Sequence, residues 1–64
     1  MSNYITTLAV NNSNVNVITI NGYQFKCKML SVSSGNVPYI TVKDAVGKIK
    51  HIFCHAISTI EELG

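Results

Sequence analysis

Ile49-Lys50-His51-Ile52-Phe53-Cys54-His55-Ala56-Ile57-Ser58-Thr59-Ile60 is the stretch on which the reading of this chain turns. The run over 48–54 reads as a strand, a tight turn falls at His55-Ala56, and 58–61 reads as a second, shorter strand. Upstream, Gly47-Lys48 marks a turn, and Pro38 opens a strand over 39–46, where a missing N–H is tolerated. Residues 15–20 form a β-branched run ended by Asn21-Gly22, the strongest short hairpin signal. Over 23–32 the alternation is clean: Tyr23, Phe25, Cys27 and Met29 face one way, Gln24, Lys26 and Lys28 the other. The polar stretch 31–36, which contains Gly35, reads as a loop or wide turn.

Residues 2–11 read as one short helix with Ser2 as N-cap and Tyr4, Ile5, Leu8 and Ala9 on one face. Two internal threonines make it weak in isolation, so it forms only when packed, and Asn11-Asn12-Ser13-Asn14 breaks it. The expectation is a single domain over 1–64, mainly β: a helix and five short, strongly bent strands.

Sixty-four residues bury too little to be robust alone, and 47% apolar against 12% charged residues leaves apolar surface to cover. The mismatch favours an oligomer over a small monomer with a greasy surface. Two cysteines, Cys27 and Cys54, make at most one bridge. With no leader pattern and no run of transmembrane length, a cytoplasmic location, free thiols and no membrane partner are expected. The net charge of +2 comes from five lysines and no arginine. It is feeble for nucleic-acid binding in one copy, but about +12 in a six-membered ring.

Residues 49–60, read with Val15 to Met29, resemble the Sm2 segment and preceding strands of bacterial Hfq, the Sm-like (LSm) RNA-chaperone family. His55-Ala56-Ile57-Ser58-Thr59 is the family's most specific mark, and Asn21-Gly22-Tyr23-Gln24 after a β-rich run is its second. The resemblance covers nearly the whole chain. It implies an Sm-like open barrel, closed into a hexameric ring by pairing of edge strands between subunits. It also implies single-stranded RNA as partner, small regulatory RNA and mRNA among the expected ligands, with no cofactor.

On one face of such rings a base of uridine-rich RNA stacks on an aromatic at the start of the third strand, here Tyr39. A pore-lining lysine-histidine pair falls on Cys54 and His55, so the histidine is kept and the lysine lost. A neighbouring glutamine is replaced by Pro38. The opposite face takes adenosine-rich RNA, and its positions fall on Ile18, Gly22, Tyr23, Gln24, Phe25 and Lys26, with Lys50 and Thr59 nearby. Lysines at 26 and 50 replace adenine-reading amides and cannot make their bidentate contact. Arginines found on the ring's rim in some members are replaced by Ala9, Val10 and Asn12, so weaker annealing is expected. The 31–37 loop is about four residues longer than usual and lacks the aromatic-aspartate pair before the third strand.

Each assignment has a plainer alternative. Tyr39 is also an ordinary strand aromatic, His55 a turn former, and Tyr23 and Phe25 fillers of the barrel or a subunit interface. His51, Cys54, His55 and Cys27 are zinc-type ligand residues without metal-site spacing, so no metal is expected. Asp44, Glu61 and Glu62 are the only acids, and no nucleophile with a placed base or phosphate loop is visible, so no catalysis is expected. The alternative from another class is a ring-forming protein-interaction scaffold with weak or lost RNA binding.

Overall fold

Helix α1 spans Asn3–Val10, the start of residues 3–64 that a computed structural model describes; the proposed cap Ser2 lies outside them. Leu8 and Ala9 are buried and Ile5 packs partly against the core, whereas Tyr4 is exposed and donates its hydroxyl to Glu62 Oε1 at 3.3 Å. The helix ends because Asn12 adopts the left-handed conformation, φ 50°. Asn12 N–H then bonds Ala9 O and Ser13 N–H bonds Leu8 O, the paired bonds of a Schellman stop. The Asn12 amide also donates to Met29 O at 3.1 Å, pinning the helix end to the sheet. Its cap and pin make Asn12 a structural residue.

Five strands follow: β1 (Asn14–Thr19), β2 (Gln24–Ser33), β3 (Tyr39–Asp44), β4 (Ile49–Phe53) and β5 (Ile57–Glu62). They form one antiparallel sheet in the order β4-β3-β2-β1-β5, with β4 and β5 as its two edges. The β1–β2 and β3–β4 hairpins share one design. Gly22 N–H bonds Thr19 O and Gly47 N–H bonds Asp44 O, and each glycine has positive φ (92° and 86°). These are three-residue loops ending on a left-handed glycine, not the two-residue Asn21-Gly22 turn the sequence suggests. The second loop corrects the expected strand over 39–46: β3 stops at Asp44, because its carboxylate accepts from Val46 N–H and Lys48 N–H and folds 45–46 into the turn.

A further correction concerns 31–36, expected as loop. β2 continues through Ser33, because Leu30 is accommodated as a bulge between Met29↔Val42 and Ser31↔Thr41. The bulge bends the strand and reverses its parity: Cys27 and Met29 point inward before it, Val32 packs inward after it, and Ser31 and Ser33 take the outward face. β4 passes into β5 through a single 3-10 turn, Cys54–Ala56.

The core is Leu8, Ala9, Val15, Val17, Cys27, Met29, Ile40 and Val42. It is small, and large apolar side chains including Ile49 and Phe53 on edge strand β4 remain about half exposed.

Candidate nucleic-acid interface

The outward face of β3 and β4 carries a strip of four rings. Tyr39 opens β3 and pairs in register with Phe53, the last residue of β4. Two residues from each, on the same face, Thr41 pairs with His51. The Tyr39 ring meets His51 edge-on at 5.5 Å and Phe53 edge-on at 6.1 Å, while Phe53 stacks on His55 at 6.0 Å and 11°. His51 Nδ1 shares a hydrogen bond of 3.0 Å with Thr41 Oγ1, which fixes the imidazole. Phe53 is 48% exposed and His51 and His55 are exposed, so the strip presents aromatic surface to solvent.

Of the expected set Tyr39, His55 and Cys54, the structure joins the first two through Phe53, and separates the third. Cys54 packs against the core beside the groove lined by Tyr4, Ile5 and Ile57, and partial burial raises its thiol pKa. Its N–H donates to Pro38 O at 2.9 Å, which ties the approach to Tyr39 to the turn carrying His55. Phe53 and His51 fell outside the RNA set in the sequence reading. The period-two spacing of 49, 51 and 53 contains them, but which face it shares with Tyr39 follows from register.

The second expected set divides across the sheet. Ile18, Gln24 and Thr59 form one outward row, since Ile18 pairs with both of the others. Lys26 lies in the next outward row with Asn16 and Glu61, and Asn16 Nδ2 donates to Gln24 Oε1 (3.2 Å) and Glu61 Oε1 (3.0 Å). Gly22 and the exposed Tyr23 sit at the hairpin end. Phe25 and Lys50 belong to the inward face, at its open end, as their register partners Val17 and Val42 are core residues. The Lys50 ammonium lies 5.4 Å from the Phe25 centroid and 3.3 Å from Asp44 Oδ2. The N–H of Lys48, followed by Lys50 and Val46, holds the Asp44 carboxyl below its ordinary pKa. Burial pushes the Cys27 thiol up, against the pull of Lys50. One protomer therefore presents this set as two groups on opposite sides of its sheet.

Among the described residues no three or more His, Cys, Asp or Glu side chains gather as a metal cluster, and no described helix is long and apolar enough to cross a membrane. At the rim positions Val10 is exposed, but Ala9 is a core residue. A Val10→Arg exchange is thus compatible with the fold and Ala9→Arg is not.

One helix followed by a five-stranded, strongly bent antiparallel sheet, its last two strands joined by a single 3-10 turn, is an Sm-like fold. More closely it is Hfq-like. The chain is similar to a crystal structure of the pleiotropic translational regulator Hfq, at a TM-score of 0.76 and 25% sequence identity, over 92% of this chain and 92% of that one. No family model and no curated protein matches the sequence.

Proposed function

We propose that this chain is an RNA-binding protein that holds single-stranded RNA, without chemistry, on a ring of identical subunits. The observation that carries the reading is the Tyr39–His51–Phe53–His55 strip, with Tyr39 half-buried and the other three rings exposed, on an Hfq-like fold. Aromatic faces hold unpaired bases with about 1–3 kcal/mol each and tolerate any base. Tyr39 and Phe53 supply base-stacking surface, and His55 extends it. Tyr23, 71% exposed, supplies a second aromatic at the hairpin end.

Assembly completes the other site. Edge strands β4 and β5 are both open, and pairing one with the other of a neighbour removes two hazards at once. It also brings the outward row Ile18, Gln24 and Thr59 of one subunit towards the inward Phe25 and Lys50 of the next, the two halves a single protomer keeps apart. A hexamer is the expected size. Two RNAs held on such a ring are raised in local concentration, which favours their pairing in post-transcriptional regulation in the cytoplasm.

One observation favours a protein-interaction scaffold instead: Lys50, the cation beside Phe25, is already neutralised by Asp44. The deciding experiment titrates labelled oligo-U and oligo-A by fluorescence anisotropy at two salt concentrations, with light scattering on the same sample. Salt-sensitive binding by a ring-sized particle is expected. A ring that ignores both RNAs transfers the reading to the scaffold, and a monomer that ignores both removes the composite site as well.

A further inference from the structure

Lys28 and Lys43 face each other directly in the β2–β3 ladder, an arrangement that like charges disfavour. Both are exposed on the outward face, which buried Cys27, Met29 and Val42 define by alternation. Lys26 stands one step along β2 on the same face, and all three lysines line one groove of about 480 Å³ with Asn14 and the Gly47 turn.

Among the described residues no acid forms an ion pair with them. Of the three acids in the sequence, Asp44 lines this groove too, but Oδ2 pairs with Lys50 and Oδ1 accepts from the turn N–H groups. Glu61 accepts from Asn16, and Glu62 from the Tyr4 hydroxyl. Among the described residues Lys50–Asp44 is the one ion pair.

The position matters as much as the charge. Along outward β2 and its partners, the rows run Gln24–Ile18, Lys26–Asn16, Lys28–Lys43, Ser31–Thr41–His51 and Ser33–Tyr39–Phe53. The lysine groove thus sits between the Gln24 row and the aromatic strip, on one continuous surface. We infer that Lys26, Lys28 and Lys43 form a track for the phosphodiester backbone of a single strand, carrying it across the outer sheet towards the Tyr39 strip. The inference rests on the RNA-binding reading for its ligand, but its chemistry needs only phosphodiester.

The test uses a labelled oligomer of phosphodiester-linked abasic ribose, alongside oligo-U, on the intact assembly. Wild type is expected to bind both, and Lys28→Gln/Lys43→Gln to bind both with a shallower salt dependence. Two lost contacts at about 0.7 each reduce the slope by about 1.4, so the loss of affinity over a fourfold rise in salt shrinks about 7-fold. Lys28→Arg/Lys43→Arg keeps the wild-type slope, and Tyr39→Ala keeps it for the abasic oligomer. Thermal melts control for folding: the glutamine variant melts no lower than wild type, since it loses only a like-charge pair. An unchanged slope in the glutamine variant overturns the track, as does a wild type that does not bind the abasic oligomer. Equal competition by inorganic phosphate at matched total phosphate also overturns it, as that describes a single-anion pocket. Binding of the abasic oligomer as tightly as oligo-U defeats base stacking at Tyr39 but leaves the lysine track standing.

Discussion

Asp44→Asn separates the two duties of one carboxylate. Oδ1 accepts from Val46 N–H and Lys48 N–H at 3.1 and 2.9 Å and shapes the β3–β4 turn; an asparagine oxygen can take both bonds. Oδ2 pairs with Lys50 at 3.3 Å; an asparagine nitrogen there is a donor facing an ammonium, so Lys50 swings away. The turn survives and a lysine beside Phe25 is released. Freed for one phosphate contact, Lys50 steepens the salt slope of oligo-A binding by about 0.7, so affinity falls about 2.6-fold more between about 50 and 200 mM salt. A second readout is independent of RNA. The Asp44 carboxyl is held below its ordinary pKa, so the unfolded chain binds its proton first on acidification. Its contribution to stability is complete above the ordinary aspartate range and is lost as pH falls through that range to the folded value. Asp44→Asn removes this part of the acid limb from melts recorded as a function of pH. A salt slope that stays level or becomes shallower refutes the release of Lys50, and an acid limb identical to wild type refutes the role given to the carboxylate.

Other predictions follow from packing and exposure. Leu8→Ala deletes a 2% exposed side chain that joins α1 to the sheet, and should cost about 2–5 kcal/mol, seen as a lower melting temperature with loss of helical circular dichroism. Tyr39→Ala should remove about 1–3 kcal/mol of oligo-U binding at unchanged particle mass; equal loss on the abasic oligomer would refute stacking. Burial raises both thiols, so iodoacetamide at neutral pH should react slowly with each, Cys27 slower than Cys54, and rapidly only after denaturation.

Much of the fold was legible in the chain. Alternation over 23–29 grouped Phe25, Cys27 and Met29 on one side of β2, and the structure turns that side inward, with Cys27 and Met29 in the core and Tyr23 exposed. The apolar face of the helix was readable in part: of Tyr4, Ile5, Leu8 and Ala9, the last two are buried and Ile5 partly so, while Tyr4 is exposed. His55-Ala56 marked the turn between the last two strands, and the observed 3-10 turn spans Cys54–Ala56. These signals are local: side-chain period and turn chemistry reside within a few residues of each other.

What the tertiary structure decided is what depends on neighbours remote in sequence. The bulge at Leu30 kept β2 going to Ser33, where composition alone reads loop, because pairing with β3 outweighs the weak strand preference of serine. Register placed Phe53 between Tyr39 and His55 and turned Cys54 away from them. Strand order put Phe25 and Lys50 on the opposite side of the sheet from Ile18 and Thr59. The pairing of Asp44 with Lys50, and of Lys28 with Lys43, likewise exists only once β2, β3 and β4 are aligned. By itself the sequence determined the order of helix, strands and turns and which residues of β2 share a face, since these follow from local periodicity, but not the ends of β2 and β3. Only the folded sheet decided which rings and which charges meet, because such contacts are set by register across strands.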